Sequence, residues 1–542
     1  MALRGLLDDA SAFVGKYAAK GGFETRYTAL NEPKGGDEEQ ARQSSRAGKY
    51  IAVHRFTPHG FQGDLLRVPG YLHLVLPAAK RDVNLCRAIV SASALDYPTP
   101  AIVGWEREKD EKFHVSKIVG IEMFLNDLTP RSDDDLVIIA DGTQNWFQLR
   151  PQVLLDRYYA INERADARIG SKLGRAAYEE GISQQIVFLA QKKCSPWTAN
   201  DPPCYAVPES TLPKDINGIR TDVEMAGEQN PYKRIRPRYL SSGVAIGPVW
   251  AMRRLFTEAA ARARHDPQSG TDDEIFGQIF AEQELYRELM RQQYQGAFGR
   301  FASWLSALTH RRDDLVSQHL HVVEDLATQL NRSLEYGIGL DYESNIGLAT
   351  AYAEDDTEYL TRGDLMQVRA AAQERKIDPS RVEHLQDDIS VSLPPFWTFQ
   401  SRENLPRERA WKDVPLFTDM RTGNAPAIIN HDAKDDGLEQ RRAQWWPKTW
   451  FHEHAREIFS VHLNEPVGPV AIAGPKNGNP REWWAMDNWR GGVRHVDGHK
   501  GDYELYGSGS RGSWFRYEDI CTGTENDVFG DGKGAWYLPA EH

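Results

Sequence analysis

Four short polar segments, each beside an apolar run, contain the residues of this chain that could carry out chemistry. They read LVIIADGTQNW (136–146), RYLSSGVAIG (238–247), GTDDEIF (270–276) and PAIINHDAKD (426–435). A buried-strand pattern ends at Asp141, and a second apolar run ends near His431. In an open α/β sheet, ligands are held at the ends of strands. A carboxylate and an imidazole at two strand ends could share one divalent cation, and that cation could hold a diphosphate.

Each of these segments also has an ordinary structural explanation. An aspartate directly after a strand commonly makes a turn or caps a helix. Asp272 and Asp273 follow Thr271, a candidate N-cap, and the helix dipole favours acidic residues in a first turn. The order of the segments along the chain therefore carries the functional interpretation, and no single segment does.

Apolar patterns around these segments predict the elements that must position them. Residues 71–77 and 100–105 form strand patterns on either side of a helix pattern at 81–93, which together predict a βαβ unit. Residues 114–128 are apolar at helical spacing, and residues 184–190 form a further buried-strand pattern. Short strands of this kind usually belong to a parallel sheet that is covered on both faces. The sequence therefore predicts an α/β protein.

Taken in order, the segments resemble the glycosyltransferase domain of the collagen lysyl hydroxylases, a GT-A type domain related to the procollagen galactosyltransferases. In that family a strand ends in an aspartate pair. A tyrosine-leucine-asparagine-serine-glycine-glycine segment follows, then an acidic run before a helix, a leucine-aspartate segment and a late metal-binding histidine. The counterparts in this chain are Asp141, residues 239–243, residues 272–274, residues 340–341 and His431. The resemblance covers about residues 70–450.

The resemblance implies an α/β fold with a GT-A type Rossmann-like central sheet and helices on both faces. The glycosyltransferase-like domain would span residues 69–455, with large helical insertions near 285–335 and 352–388. Residues 1–68 would form an N-terminal extension that is partly mobile. Residues 456–542, rich in tryptophan and glycine, would form a loop-rich C-terminal extension packed on the core.

The resemblance also implies metal-dependent transfer of a hexose, glucose or galactose, from a UDP-sugar to the hydroxyl of an unknown glycan, protein or small-molecule acceptor. Mn²⁺ or Mg²⁺ would be held by Asp141, Gln144 and His431. Asp272 or Asp273 would act as the catalytic base or orient the acceptor hydroxyl. The residues expected to contact the donor are Pro77, Ala78, Ala79, Lys117, Asp141, Trp197, Ser241, Ser242, Gly243 and Lys434.

Two departures from the family pattern affect the metal and phosphate sites. Gln144, a neutral and weaker ligand for a hard cation, replaces the second aspartate of the pair. Residues 431–434 replace a glycine-rich phosphate loop. Either the metal affinity is low, or Asp432 or Asp435 compensates, or the site has degenerated. A degenerate protein that binds a nucleotide sugar or glycan without turnover is therefore the main alternative.

Several candidate residues could have a structural role instead of a functional one. Lys117 could be a solvated helix lysine, and Trp197 could pack in the core rather than contact a sugar. Ser241 and Ser242 could donate hydrogen bonds to sugar oxygens or only to the backbone. The 15 tryptophans and 21 tyrosines favour a third and weaker alternative, a glycoside hydrolase or a lectin.

Net charge, apolar runs and cysteine content limit the classes of partner and the cellular compartments that the sequence favours. The 542-residue chain carries a net charge of −13, which argues against a nucleic-acid surface, and it contains no apolar run long enough for a transmembrane segment. We expect the secretory pathway (Golgi or ER lumen) if a signal or anchor was removed, and the cytoplasm otherwise. Cys194 and Cys204 could form a disulfide in an oxidising compartment, whereas Cys86 has the pattern of a small buried residue in a helix.

Overall fold

The βαβ unit predicted near the start of the domain is present in a computed structural model of the chain. β1 (Gly70–Pro77) is followed by α1 (Val83–Ser93) and β2 (Ala101–Trp105). The helix begins after Asp82, whose side chain accepts a hydrogen bond of 2.7 Å from the amide of Asn84. This contact satisfies one of the amides that the first turn of a helix leaves without a partner.

The structure describes residues 69–105, 113–266, 271–295, 311–398, 404–432, 437–464, 468–485, 495–496, 499–500, 503–507 and 514–536. These residues belong to one compact unit, residues 59–542. The predicted extension at 1–68 and the candidate donor residue Lys434 lie outside the described residues.

Strands and helices alternate through the first part of the described chain. The further strands are β3 (Leu136–Ala140), β4 (Asn145–Phe147), β5 (Ile186–Gln191), β6 (Tyr239–Pro248), β7 (Ile338–Asp341), β8 (Gly347–Ala349), β9 (Thr357–Thr361), β10 (Pro415–Asp419), β11 (Ile428–Asn430), β12 (Ala471–Ala473), β13 (Arg481–Ala485), β14 (His495–Val496), β15 (His499–Lys500), β16 (Tyr503–Gly507) and β17 (Trp514–Phe515). The further helices are α2 (Phe113–Asp127), α3 (Pro151–Leu173), α4 (Arg175–Glu179), α5 (Pro202–Tyr205), α6 (Val249–His265), α7 (Asp272–Gln293), α8 (Arg311–Leu330), α9 (Leu365–Glu374), α10 (Ser380–Glu383), α11 (Asp387–Ser390), α12 (Leu438–Trp445), α13 (Ala455–Asn464), α14 (Tyr517–Cys521) and α15 (Glu525–Phe529).

The main sheet of the described residues has the strand order β17-β16-β2-β1-β3-β6-β5-β7, and β13 and β12 extend it beside the first half of β1. β1 pairs in parallel with both β2 and β3, and β5 pairs in parallel with β7. β6 is antiparallel to both of its neighbours, β3 and β5. The carboxyl ends of β1, β3, β5 and β7 and the amino end of β6 therefore lie along one edge of the sheet.

Helices cover both faces of this sheet. Alternate strand residues point to opposite faces, and both sets are apolar, so each face packs against helices. Leu74 and Ile138 belong to a buried cluster that includes side chains of α1, α3 and α13. Val137 and Ile139 belong to a second buried cluster with side chains of α2, α6 and α7. The prediction of an α/β protein is therefore confirmed, but the sheet is mixed rather than parallel, since β6 is antiparallel to both of its neighbours.

A small second sheet lies beside the end of β3. Its order is β4-β11-β8, with β4 and β11 antiparallel and Asn145 opposite Asn430. Because β4 begins only five residues after β3 ends and β11 ends at Asn430, the pairing brings His431 close to the turn that contains Asp141 and Gln144.

The C-terminal part of the chain contributes strands to the main sheet. β13 pairs in parallel with residues 70–72 of β1, and β16 pairs in parallel with β2. A disulfide joins Cys86 of α1 to Cys521 of α14, with a Cα–Cα distance of 5.8 Å. Cys86 is buried in a helix, as expected, but its sulfur forms a disulfide, which the sequence does not predict. The partner lies 435 residues away, and no local pattern around Cys86 indicates it.

The second disulfide joins Cys194 and Cys204, the pair that the sequence makes possible. It closes the loop that follows β5 and carries Trp197. Among the described residues, no helix combines the length and apolar character that crossing a membrane requires.

Candidate active site

Polar residues from five segments meet where β1 and β3 end and β6 begins. The loop after β1 lies against the loop after β3, because the amide of Gly142 donates a hydrogen bond of 2.9 Å to the carbonyl of Pro77. A Cβ at Gly142 would lie 3.0 Å from the carbonyl oxygen of Pro77, so glycine favours this close approach of the two loops. Ala78 is fully buried and its amide donates to the carbonyl of Val103 in β2. The candidate donor loop 77–79 and Asp141 therefore lie side by side.

Asp141 is buried at the end of β3, and neighbouring groups hold its carboxylate. Oδ1 accepts hydrogen bonds from the amide of Thr143 at 3.0 Å and from its hydroxyl at 2.8 Å. The backbone amide of Asp141 donates to the carbonyl of Gly243 in β6. Asn145 strengthens this junction, since its side-chain amide donates to the carbonyls of both Asp141 and Gly243. Sequence reasoning missed Thr143 and Asn145.

Lys117 connects Asp141 to the start of α7. Its Nζ lies 3.3 Å from Asp141 Oδ2 and 2.5 Å from Asp272 Oδ2. The side chain is 6% exposed, which excludes a solvated helix lysine. Burial alone would lower the pKa of Lys117, but the charges of Asp272 and Asp141 outweigh it and raise the pKa. The ammonium group is therefore firmly charged.

A bulge in β6 directs Ser242 toward the acidic pair of α7. The β5–β6 register shifts between Phe188 and Leu189, which pair with Ala245 and Ser241, so residues 242–244 have no partner in β5. The freed amide of Ser242 donates to Asp273 Oδ1 at 2.7 Å. The Ser242 hydroxyl lies 2.9 Å from Asp272 Oδ2 and 2.7 Å from Asp273 Oδ1. Bulges commonly re-aim side chains beside functional sites.

Ser241 and Thr271 have more structural roles than their neighbours. Ser241 is buried in the pairing with Leu189 of β5. Thr271 occupies the N-cap position of α7, as predicted, but its side chain makes no capping hydrogen bond. The side chains of Asp272 and Asp273 are both hydrogen-bonded to Ser242. They therefore face the sheet edge and do more than stabilise their own helix.

The two carboxyl groups of α7 have pKa values that move in opposite directions. Burial would raise the pKa of Asp272, but the charge and hydrogen bond of Lys117 lower it below its ordinary value. Burial raises the pKa of Asp273, and the charge of Asp272 raises it further. A neighbouring pair with separated pKa values is suited to acid–base chemistry, with the group of raised pKa closer to neutral pH. We call Lys117, Asp141, Ser242, Asp272 and Asp273 the sheet-edge cluster.

His431 lies on the other side of Asp141, at the end of β11. Its amide donates a hydrogen bond of 2.7 Å to the carbonyl of Gln144. The preceding residue, Asn430, bonds to Asn145 at 3.1 Å and lies so close to Gly243 that a Cβ there would be 2.5 Å from its side-chain nitrogen. Gly243 therefore permits the close backbone approach that the sequence suggests, and Asn430 is a further residue that sequence reasoning missed.

The imidazole of His431 is fully buried among aromatic rings. It stacks on Trp445 with ring centroids 5.1 Å apart and meets Trp146 edge-on at 4.2 Å. Burial and the charges of Arg442, Arg87 and Arg441 hold its pKa well below the ordinary value, so the ring is neutral. Within the described part of the chain, neither ring nitrogen has a hydrogen-bond partner. A buried neutral imidazole without a partner is in the state that binds a metal ion.

Asp141, Gln144 and His431 carry the types of donor group that a weakly held divalent cation would use. They offer one carboxylate, one amide oxygen and one neutral imidazole, and the β4–β11 pairing places the three residues together. No group of three histidine, cysteine or acidic side chains arranged to hold a metal ion is found among the described residues. Divalent cations at phosphate-transfer and nucleotide sites often use one or two carboxylates and complete their shell with substrate phosphates. Asp432 accepts a bond from the amide of Ala351, and Asp435 lies outside the described residues.

Buried arginines surround His431, and sequence reasoning missed them. Arg87 of α1 lies over the Trp146 ring at 5.9 Å and over the Trp446 ring at 5.7 Å. Arg442 of α12 donates to the carbonyl of His431. In the described residues, the Nε atoms of both arginines are buried without a hydrogen-bond acceptor. Fixed positive charge of this kind suits an anionic group such as a diphosphate.

Two further predicted residues lie outside this network. Asp341, the counterpart of a family leucine-aspartate segment, accepts hydrogen bonds from the amides of Ile346 and Gly347 and so shapes the turn after β7. Trp197 lies in the disulfide-closed loop, with its indole Nε1 3.7 Å from the position that a Cβ on Gly277 of α7 would take. Trp197 therefore borders α7 at Gly277.

No protein-family model matches this chain, and no curated protein is similar to it in sequence. The candidate function therefore depends on the residues and on their geometry.

Proposed function

We propose that this chain transfers a hexose from a UDP-sugar to an acceptor hydroxyl at the edge of a GT-A type sheet. The observation that carries the proposal is the position of Lys117, whose ammonium group touches Asp141 on the donor side and Asp272 on the acceptor side. Candidates from separate sequence segments thus share one buried network. The mostly parallel strands and the helices on both faces support the proposed fold, since such sheets bind ligands at their carboxyl edge.

In the proposed reaction, Asp273 accepts the proton of the acceptor hydroxyl. Its raised pKa makes it the stronger base of the pair, and the Ser242 amide fixes one of its oxygens. Asp272, kept ionised by Lys117, orients the acceptor beside it. Arg87 and Arg442 supply positive charge near the expected diphosphate.

Asp141, Gln144 and His431 would hold a divalent cation, which would counter the charge that develops on the UDP leaving group. Asp141 also fixes Lys117, so its carboxylate serves both halves of the site. The two disulfides support a location in an oxidising compartment of the secretory pathway.

A nucleotide-sugar-binding protein without turnover is the second candidate function. It is favoured by the neutral Gln144, which stands in the donor set where the family has an aspartate. Binding of UDP-sugar without release of UDP would support this candidate over the first.

The test is a screen for UDP formation from UDP-glucose and UDP-galactose, with and without Mn²⁺ and with simple sugars as acceptors. We expect Mn²⁺-dependent UDP release that falls by about 10²–10³-fold in Asp141→Asn, because that change removes a charge needed in the transition state. Asp215→Asn, an equal change at an exposed loop position, should match the wild type. Equal activity of the Asp141 variant and the wild type would contradict the proposal.

A further inference from the structure

A pocket of about 340 Å³ lies beside the sheet-edge cluster, between the disulfide-closed loop after β5 and the segment that leads into β6. Its lining includes Lys193, Trp197, Glu209, Tyr232, Arg238 and Tyr239. This volume is within the range of about 300–1,000 Å³ that is usual for small-molecule pockets. We call it the side pocket.

The outer wall of the side pocket is an irregular segment with its own internal support. Residues 206–238 contain no helix or strand, yet their side chains hold the backbone in place. Asp222 accepts hydrogen bonds from the amide of Arg236 at 3.0 Å and from its Nε at 2.8 Å. The side-chain amide of Asn217 donates to the carbonyl of Arg234 at 2.9 Å. Long loops in compact domains are usually either functional, as binding loops are, or disordered linkers, and the internal hydrogen bonds of this segment favour the first.

Both arginines that line the side pocket are paired with lining carboxylates. Arg236 bonds to Asp222, and Arg238 lies 3.2 Å from Glu209. The ammonium group of Lys193 lies 5.4 Å from the ring centres of both Tyr232 and Tyr352. Because neither sign dominates the wall, the lining favours a neutral ligand over a strongly anionic or cationic one.

The remaining features of the lining suit a polyhydroxyl ligand. Trp197, Tyr232 and Tyr239 offer aromatic faces, on which the apolar face of a sugar ring can stack. Hydroxyl groups of such a ligand can accept from Lys193 and can donate to the lining carboxylates.

Two elements lead from the side pocket toward the acidic pair, β6 through Tyr239 and α7 through Gly277. Tyr239 lies three residues before Ser242 on β6, which corresponds to roughly 10 Å of strand. Trp197 borders α7 at Gly277, five residues or about 7.5 Å along the helix from Asp272.

We propose that the side pocket binds a neutral saccharide of one or two sugar units. We further assign this saccharide as the acceptor whose hydroxyl reaches Asp273, an assignment that rests on the proposed function. Binding of a saccharide in the pocket does not require that function and can be tested by itself.

The experiment measures saturation-transfer NMR signals of lactose and maltose, and separately of UDP, on the full chain. We expect a disaccharide signal in the wild type, with binding at least about tenfold weaker in Tyr232→Ala, since a stacked ring is lost. Lys193→Ala removes a donor at the surface of the pocket and should weaken binding less. Tyr178→Ala, at a tyrosine that is 87% exposed on α4, is the matched control and should bind as the wild type does.

Melting curves of each variant identify any that fail to fold, and Lys193→Ala then decides the result if Tyr232→Ala is unstable. No disaccharide signal in the wild type, or equal signals in both pocket variants and the control, would overturn the saccharide site. Loss of the signal in the pocket variants, together with a retained UDP signal in all of them, supports it. A disaccharide signal that depends on the pocket in a protein that does not bind UDP supports the saccharide site and overturns its role as an acceptor site.

Discussion

Two buried clusters of charged residues differ in how their charges balance. The interior cluster consists of Lys192, Asp356, Asp419 and Arg421. Lys192 pairs with Asp356, whose other oxygen lies 2.8 Å from Arg421 Nε. Asp419 accepts a bond of 2.8 Å from the amide of Arg421 and another from Ser344. Two cations thus face two carboxyl groups, beside a cavity of only about 30 Å³.

The sheet-edge cluster has a single lysine, Lys117, among the carboxyl groups of Asp141, Asp272 and Asp273. Burying unpaired charge is costly, so an excess of carboxylates must be relieved by a proton or by a further cation. The raised pKa of Asp273 is one such relief. The difference between the clusters indicates that balanced buried charge serves the fold, whereas unbalanced buried charge at a sheet edge leaves capacity for chemistry.

Removing one lysine from each cluster should give the largest difference in the free energy of unfolding between the two clusters. Lys117→Met leaves three buried carboxyl groups without a cation and should lower the free energy of unfolding by about 3–5 kcal/mol. Lys192→Met leaves Arg421 on Asp356 and should cost only about 1–3 kcal/mol. Denaturant unfolding at neutral pH measures both values.

Lys172→Met is the control for this pair, because its side chain is 54% exposed and lies 3.8 Å from Glu284. An exposed pair of this kind should change the free energy of unfolding by about 0–1 kcal/mol. If Lys117→Met and Lys192→Met were equally costly, charge balance would not distinguish the two clusters.

Asp273 and Asp419 allow the same comparison for carboxyl groups, since burial raises the pKa of each. A base must be ionised to accept a proton, so transfer should increase as pH rises through the raised pKa of Asp273, above the ordinary aspartate value of about 3.9. Asp273→Asn should lower kcat/KM by about 10²-fold and remove this limb of the pH profile. This loss of kcat/KM is at the low end of the range of about 10²–10⁴-fold that is usual for a general base, because Asp272 stays beside the acceptor.

Asp419→Asn should keep both the rate and the pH profile, because Asp419 is bonded to Ser344 and Arg421 within the interior cluster. The measurement is kcat/KM for UDP-sugar transfer from about pH 4, near the ordinary aspartate pKa, to about pH 8. An unchanged acid limb in Asp273→Asn would assign the base to another group.

The strands that end at the site could be predicted because their signal is local. The apolar runs before Pro77 and Asp141 are continuous in sequence, and each forms a strand within one or two residues of the predicted bounds. The candidate residues Asp141, Lys117, Asp272 and Ser242 lie in separate sequence segments, and the structure brings them together.

The contacts that shape the site could not be predicted, because they join residues far apart in the chain. The bulge at residues 242–244 arises from the β5–β6 register, which no pattern within β6 reveals. Asn145 and Asn430 meet only when the small sheet forms, and Arg87 reaches His431 from another part of the fold. A buried arginine in a helix sequence looks like any surface arginine, so its role depends on tertiary packing.

Gln144→Asp adds a further carboxylate near the sheet-edge cluster. Its effect should be smaller than the effects of Lys117→Met and Asp273→Asn. Adding a carboxylate at residue 144 should tighten Mn²⁺ binding by about tenfold, or ~1.4 kcal/mol, because oxygen ligands of higher charge bind hard cations more strongly. Calorimetric titration of Mn²⁺ without nucleotide measures this independently of turnover. Gln373→Asp adds the same charge at an exposed position of α9 and should leave the affinity unchanged.

Without Mn²⁺, the added charge should lower the melting temperature of Gln144→Asp, and Mn²⁺ should restore it, because a ligand that binds the folded state stabilises it. A loss of stability that Mn²⁺ does not reverse would show that residue 144 faces no cation, and the sheet-edge excess would then be relieved by the proton on Asp273 alone.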